Sequence, residues 1–194
     1  MVGVTLYVSP FLIRRRTSIW NGKCDDEMLT ADQRDVVLKR DSSSAVVTSG
    51  SCTIVSGDWL SPYDGAEWTA PGDVDIDHMV PLANAWIVSL PVSAISYSRN
   101  AQNSLANIQA QSGASAWTTA QRQAYANDLT NPQLWTVTDN VNQSKGDRSP
   151  DEWKPSLTSE WCRYARSWIK VKYVYSLSVS SAEKSALTTM LGYC

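Results

Sequence analysis

The segment DVDIDHMVPL, from Asp73 to Leu82, constrains the possible folds of this chain more than any other stretch. Its apolar and acidic residues alternate with a period of two, which is typical of a β-strand that is buried on one face. The proline at position 81 cannot donate a ladder hydrogen bond, so the strand should end there. The alternation predicts that Asp73, Asp75 and Asp77 share one face, and that His78, the single histidine, lies on the other.

The other patterns predict a mixture of strands and helices. The stretch SCTIVSGDWLSPYDGAEWTA alternates on both sides of the turn PYDG, which indicates a hairpin with strands near residues 52–60 and 66–70. PQLWTVTD predicts a further strand, and a helix should follow because Asp139 and Asn140 are favourable N-terminal caps. Helical spacing or capping residues also indicate helices over residues 32–42 (or a helix–strand junction there), 118–129, 158–177 and 180–194.

The four cysteines indicate the cellular compartment. None forms a CxxC pair, and one histidine cannot complete a common zinc set, so a structural zinc site is disfavoured. An even number of widely spaced cysteines fits two disulfides in an oxidising compartment, and we therefore expect a secreted, extracellular protein. Three pairings are open, with free buried thiols as the alternative; we favour nearest neighbours along the chain, Cys24 with Cys52 and Cys162 with Cys194.

The N-terminal segment MVGVTLYVSPFLIRRR does not follow the order of a cleaved export signal. Its positive charges come after the apolar run, whereas a signal peptide has them first. We interpret residues 1–20 as a leader or a misassigned N-terminus and residues 21–194 as one domain. No further apolar run approaches the ~18 residues of a membrane span, so no membrane partner is expected. The sequence does not indicate an oligomeric state.

Residues 88–111 differ in composition from the rest of the chain. Fifteen of these 24 residues are Ser, Ala, Asn or Gln, and neither helical nor strand periodicity is clear. A loop of this length is uncommon inside a compact domain. We interpret the segment as an insertion or as a translated intron, because joining Ile87 to Ser112 gives the smooth continuation NAWISGASAW.

The motif residues suit phosphodiester hydrolysis. Asp77 and His78 end one predicted strand, a second strand follows, and Asn142 lies near the start of the next helix, which is the order of parts in a one-metal nuclease. A histidine with a pKa near ~6.5 can accept a proton from the attacking water. Asp77 and Asn142 offer oxygen ligands to a Mg²⁺-type ion that stabilises transition-state charge, and Lys145 can hold a phosphate oxygen.

The net charge of −2 gives no global signal for binding of nucleic acid or membrane. Residues 140–175, however, carry seven basic and four acidic side chains, and this local excess of positive charge suits an anionic ligand.

Long segments of the chain resemble the secreted HNH-type endonuclease family. The resemblance rests on DVDIDHMVPLANAW, AQRQAYANDL, PQLWTVTDNVNQSKGDRSPDEWKP and CRYARSWIKVKYVYSLSVSSAEKSALTTML. This family is similar to the ββα-metal (His-Me finger) nucleases. The resemblance implies an α+β fold with a ββα-metal core, a small N-terminal β-hairpin region and C-terminal helices. It also implies a secreted endonuclease that hydrolyses DNA, with RNA as a second candidate substrate, with little sequence specificity and with one divalent metal ion, Mg²⁺ by preference.

The resemblance also assigns residue roles. It implies His78 as the general base, Lys145 as a catalytic phosphate contact, and Asp77 and Asn142 as metal ligands. Supporting roles fall to Asp75, Asp147 and Glu152. With one histidine in the chain, a zinc-type HNH site with several histidine ligands is excluded.

Several other interpretations stay open. NQS at Asn142 is the single N-glycosylation sequon, and a glycan there would exclude a metal ion. Nine tryptophans fit a non-catalytic secreted module that binds carbohydrate or cell wall, and an inactive nuclease homologue is a further alternative. A glycosidase is disfavoured, because Asp75 and Asp77 lie two apart on a strand, point the same way and leave no room for a sugar between them.

Overall fold

The computed structural model describes residues 33–49, 53–86 and 113–194, which form six α-helices and three two-stranded antiparallel sheets. In chain order the elements are α1 (Gln33–Asp41), β1 (Val47–Thr48), β2 (Ile54–Ser56), β3 (Trp59–Leu60), β4 (Glu67–Trp68), β5 (Val74–His78), α2 (Leu82–Trp86), α3 (Thr119–Ala126), β6 (Leu134–Thr138), α4 (Asp139–Lys145), α5 (Trp161–Val174) and α6 (Ser181–Leu191). The predicted α+β class is confirmed. None of the helices in these ranges combines the length and hydropathy needed to cross a membrane.

Three predictions fall on parts of the chain outside the described residues. These are the interpretation of residues 1–20, the pairing of Cys24 with Cys52, and the insertion at residues 88–111.

The hairpin predicted around PYDG is present, but its first strand is divided in two. β3 pairs with β4 across the turn, whereas β2 pairs with β1, a strand that the sequence patterns did not indicate. Gly57 separates β2 from β3, and a Cβ there would lie 2.7 Å from Cζ2 of Trp59. Glycine therefore lets the Trp59 indole pack over the backbone, where its N–H donates to the Leu38 carbonyl at 2.8 Å and joins the hairpin to α1.

β5 and β6 form the central antiparallel pair, with His78 opposite Leu134. Both were predicted as strands. β5 begins at Val74, because Pro71–Asp73 form a 3₁₀ turn before it. Every residue of β6 is buried, and α1 and β3 both contact it. This pair carries the two motif residues Asp77 and His78 at its end.

α4 follows β6 without a loop, so strand, strand and helix come in the predicted order. The predicted caps were wrong: Thr138 occupies the cap position without a side-chain capping bond, and Asp139 is already helical. The helix ends at Lys145. Gly146 follows with φ of +54°, a conformation that glycine adopts without steric cost.

Two other helices begin at residues that the sequence predicted as caps. The Thr118 hydroxyl accepts from the Gln121 N–H, and the Gln121 side chain accepts from the Thr118 N–H, which forms a capping box before α3. Ser180 and Glu183 form the same box before α6. Each box satisfies backbone donors that the first turn leaves without a helical partner.

Aromatic side chains fill the main core between the β5–β6 pair and α5. Tyr63, Tyr164 and Trp168 are fully buried there, together with Val137 from β6. Burial of large rings dominates the energetics of small cores of this type. The core therefore fixes α5 and the hairpin turn against the sheet that carries the motif residues.

α5 and α6 are joined by a buried ion pair and a disulfide. Lys172 Nζ lies 2.7 Å from Glu183 Oε1, and the Trp168 indole N–H donates to the same oxygen at 2.7 Å. Cys162 and Cys194 form a disulfide, which confirms this half of the predicted pairing.

Candidate active site

A cleft lies where the end of β5 meets α2 and α4. We call it the His78 cleft; it is lined by Ile76, Asp77, His78, Pro81, Leu82, Asn142, Gln143 and Gly146. Three of the predicted site residues, Asp77, His78 and Asn142, therefore border one cleft although they are far apart in the sequence. The antiparallel β5–β6 pairing and the direct junction from β6 to α4 bring them together.

The His78 imidazole is held in one orientation by a backbone carbonyl. Its Nε2 lies 2.9 Å from the carbonyl oxygen of Ala126, the last residue of α3. A carbonyl can only accept, so Nε2 carries the hydrogen, and Nδ1 is the acceptor nitrogen of the neutral ring. Burial lowers the pKa of His78 and outweighs the opposing effects of the Ala126 hydrogen bond and Asp77, while the Lys145 charge lowers it further. The ring is therefore kept in its neutral, proton-accepting form.

Asp77 and Lys145 form a buried ion pair behind the cleft. Lys145 Nζ donates to Asp77 Oδ1 at 2.8 Å and to the His78 carbonyl oxygen at 2.9 Å. The Tyr63 hydroxyl donates to the other carboxylate oxygen of Asp77. Burial lowers the pKa of Lys145, although the Asp77 carboxylate opposes this shift. Lys145 is fully buried in this arrangement and joins the end of α4 to the end of β5, and its predicted contact with phosphate stays a prediction.

Asn142 contacts Asp75 rather than Asp77. Its amide nitrogen donates to Asp75 Oδ2 at 3.3 Å, so the amide carbonyl oxygen is the atom that can serve as a ligand. The pKa of Asp75 is raised, first by burial and then by its hydrogen bond to Asp139, while the Asn142 amide and Arg34 oppose the shift. Asp75 and Asp77 both contact side chains of α4, as expected for residues that share one face of β5.

The residues of the cleft fit a hard, oxygen-bound cation with few protein ligands. Among the described residues, no group of three or more His, Cys, Asp or Glu side chains is arranged to hold a metal ion. One carboxylate and one amide oxygen at the cleft suit Mg²⁺, which retains several waters and is bound through one or two carboxylates plus substrate phosphate. A site of this composition leaves coordination positions open for a phosphodiester.

The two remaining predicted residues lie differently. Asp147 follows Gly146 and is exposed beside the cleft-lining turn. Glu152 lies away from the His78 cleft, in a groove that it shares with Lys154 and with residues of α6. Its carboxylate accepts from the Ser149 N–H at 3.3 Å and closes that turn. The structure therefore does not bring Glu152 together with His78.

Sequence reasoning missed three groups that shape the site. Tyr63 was interpreted only as part of a turn, yet its hydroxyl binds Asp77. The Ala126 carbonyl, which orients His78, carries no side-chain signal and could not be found without the fold. Asp139 was interpreted as a helix cap, and it contacts Asp75 instead. Its position directly after a predicted strand was the signal available for it.

Comparison with known proteins gives a secreted relative. The chain is 56% identical over 165 residues to a protein of Arthroderma benhamiae described as an uncharacterized secreted protein, and the match covers 85% of this chain and 69% of that protein. The Cys162–Cys194 disulfide is also of the kind that oxidising compartments maintain. The predicted secreted location is confirmed by these two observations. No solved structure gave a significant match.

A family model supplies the broader relationship. The model described as GmrSD restriction endonucleases, C-terminal domain, matches residues 25–190, which include β5, β6, α4 and every residue of the His78 cleft. The resemblance to HNH-type endonucleases is thereby confirmed at the level of an endonuclease family. The chain belongs to the family of GmrSD restriction endonuclease C-terminal domains.

Proposed function

We propose that this protein is a secreted, metal-dependent endonuclease that hydrolyses phosphodiester bonds of DNA, and of RNA as a second substrate, with little sequence specificity. In this proposal β5, β6 and α4 are the ββα-metal core, and His78 is the general base. The observation that carries it is the His78 imidazole, which is fixed by Ala126 and borders the same cleft as Asn142 and Asp77. Membership of an endonuclease domain family supports the reaction class.

His78 performs the proton transfer in this proposal. The Nε2–H bond to Ala126 holds the ring plane and leaves Nδ1 to accept a proton from a water that attacks phosphorus. The same hydrogen bond stabilises the imidazolium that forms, because a carbonyl dipole favours the charged ring. Burial keeps the pKa of His78 low enough for the ring to be neutral before each reaction.

Asn142 and Asp77 would hold a divalent cation at the cleft. Asn142 offers its amide oxygen, since the amide nitrogen is bound to Asp75. Asp77 borders the cleft, and each of its carboxylate oxygens has a lone pair beyond the one used by Lys145 or Tyr63. Such an ion, when bound, stabilises the negative charge that gathers on the phosphate oxygens. Asp75, whose carboxylate accepts from Asn142, would orient that amide, which is a supporting role.

Lys145 would contact phosphate only if its ammonium turned from Asp77 toward the cleft. In the geometry described here the ammonium instead positions the strand end that carries His78. Asp147, exposed beside Gly146, would have a supporting role. Glu152 would support the site indirectly, through the turn that it closes with Ser149.

Two features disfavour the alternative interpretations. An N-linked glycan would attach to the Asn142 amide nitrogen, which is bound to Asp75 beside the cleft. The carbohydrate-binding alternative rests on the tryptophans, but of the eight in the described ranges only Trp86 is exposed. The rest are buried or half-buried, and Trp59 and Trp168 are core residues.

Plasmid digestion tests this function directly. The wild-type protein with Mg²⁺ should convert supercoiled plasmid to nicked and then linear forms, and it should degrade single-stranded DNA. EDTA should abolish cleavage, and excess Mg²⁺ should restore it. Cleavage that persists in EDTA would contradict metal dependence. Failure to cleave plasmid, single-stranded DNA and RNA under all metal conditions would instead identify an inactive homologue.

A further inference from the structure

Trp86 is an exposed aromatic residue at the end of α2, the helix whose first residue, Leu82, lines the His78 cleft. Half of its surface is accessible. It lies four residues, about 6 Å, along α2 from Leu82, which lines the cleft and is also exposed. The exposed face of α2 therefore leads from the catalytic cleft to the Trp86 indole.

Arg122, from α3, lies over one face of this indole. Its guanidinium carbon lies 4.9 Å from the centroid of the Trp86 ring. Arg40 and Arg163 are paired with carboxylates of Asp41 and Glu160, but Arg122 pairs with no carboxylate in the described part of the chain. The positive charge of Arg122 lies next to the indole, where it could bind an anionic ligand.

The helix α3 connects Arg122 and Trp86 to His78, the candidate base. Arg122 lies one turn before Ala126, whose carbonyl holds the His78 imidazole. His78, Ala126, Arg122, Trp86 and Leu82 thus form a continuous path that begins and ends at the cleft. A phosphate bound beside His78 would place the adjoining nucleotide next to this pair.

We propose that Trp86 and Arg122 form a nucleotide subsite beside the His78 cleft. The indole stacks on an unpaired base next to the scissile phosphate, and the guanidinium binds the adjoining phosphate. This inference rests on the proposed nuclease function and adds a preference for single-stranded or locally unpaired nucleic acid, because a base can stack on an indole only when it has left the duplex stack. Flat aromatic rings bind bases of any type, which agrees with low sequence specificity.

Binding to a fluorescein-labelled single-stranded DNA oligonucleotide tests the subsite. A His78→Ala background prevents cleavage during the measurement. Trp86→Ala should raise the Kd about tenfold, a change within the range of base–aromatic stacking. Trp86→Phe should recover part of this loss, and Arg122→Gln should weaken binding and reduce its salt dependence. Tyr173→Ala is the matched control, since Tyr173 is 80% exposed on α5 and lies outside the cleft; it should leave the Kd unchanged within about twofold.

Oligonucleotides with one abasic position separate stacking from a structural role. We compare the rates at which the wild-type protein and the Trp86→Ala variant, both with His78 intact, cleave these oligonucleotides. When the abasic position is the one that Trp86 stacks on, the two proteins should cleave at the same rate, because the base is already missing. If the Trp86→Ala defect persists at every abasic position, the subsite is overturned and the residue acts through the fold.

The remaining outcomes distinguish this inference from the function on which it rests. If the wild-type protein cleaves DNA but Trp86→Ala and Arg122→Gln match it in Kd and rate, the subsite alone is overturned. If Trp86→Ala abolishes binding of a soluble glucan oligosaccharide and leaves DNA binding intact, Trp86 is a sugar contact and the inference is also overturned. A wild-type protein that neither binds nor cleaves nucleic acid overturns the proposed function itself.

Discussion

Lys145 shows how a single buried charge organises the residues of this site. Its ammonium binds both the Asp77 carboxylate and the carbonyl of His78, so one side chain joins α4 to the end of β5. The sequence predicted that Lys145 lies near the motif residues, but it did not predict its burial, because a lysine at the end of a polar helix is usually solvated. This buried contact holds the backbone of His78 at the end of β5.

Replacing Lys145 by Met should destabilise the fold strongly. The Asp77 carboxylate would stay buried without its cation, and breaking a buried pair in this way costs about 3–5 kcal/mol. Urea unfolding should therefore show a much lower midpoint than in the wild type. Lys184→Met on the exposed face of α6 is the matched control and should change the free energy of unfolding by less than about 0.5 kcal/mol. Equal stability of the two variants would mean that the ammonium is free and able to reach a phosphate.

Asn142→Ala should weaken metal activation. The amide oxygen would be lost from the cleft, and we expect the half-maximal Mg²⁺ concentration for plasmid cleavage to rise about 10- to 100-fold. Asn140→Ala removes an exposed amide from the same helix and should leave the Mg²⁺ dependence unchanged. If Asn140→Ala raised the required Mg²⁺ concentration more than Asn142→Ala, the assignment of Asn142 as the metal ligand would be wrong.

At the level of elements, strands and capped helices followed from the sequence more reliably than the pairing of short strands. β5, β6, α3 and α6 were predicted, since alternation and capping boxes are local signals. The division of the hairpin at Gly57 was not predicted, because it results from the Trp59 indole packing over that backbone. The contact between the Ala126 carbonyl and His78 depends on how α3 packs. It could not be predicted from the sequence, because every residue has a backbone carbonyl.

The Cys162–Cys194 disulfide should stabilise α5 and α6 without shaping the cleft. Its cysteines are separated by 32 residues, and loop-closure entropy predicts a contribution of about 3–4 kcal/mol. The variant with both cysteines replaced by serine should unfold at a correspondingly lower urea concentration. Its cleavage rate below the unfolding transition should match the wild type, because the His78 cleft is lined by residues of β5, α2 and α4 and the turns that adjoin them. An unchanged midpoint, or a lost rate in the folded variant, would contradict this separation.

For the whole molecule, the described parts on either side of residues 88–111 belong to one core. Ala85 and Ala114 lie in the same buried cluster, and α2 contacts the turn that contains Ala114, so the two described flanks lie close together. The composition of the segment suggested an insertion, but a protein sequence cannot distinguish translated intron from genuine loop. The motifs on both sides, in contrast, were enough to predict the nuclease family.

A chain with Ile87 joined directly to Ser112 should fold and cleave DNA at least as fast as the full chain. The short connection has little distance to span, and shortening a loop lowers its closure entropy. Urea unfolding and plasmid cleavage measure the two properties. A shortened chain that is insoluble, or that folds but cleaves more slowly, would show that residues 88–111 contribute to the native protein.

The most direct test of the account is the cleavage rate of His78→Ala at saturating Mg²⁺, compared with the wild type on the same plasmid. Loss of the general base should lower the rate by about 10²- to 10⁴-fold. His78 is half-buried, so the variant should keep a cooperative urea transition, and His78→Asn should show the same loss of cleavage rate. If either folded variant retained wild-type cleavage, His78 would not be the base.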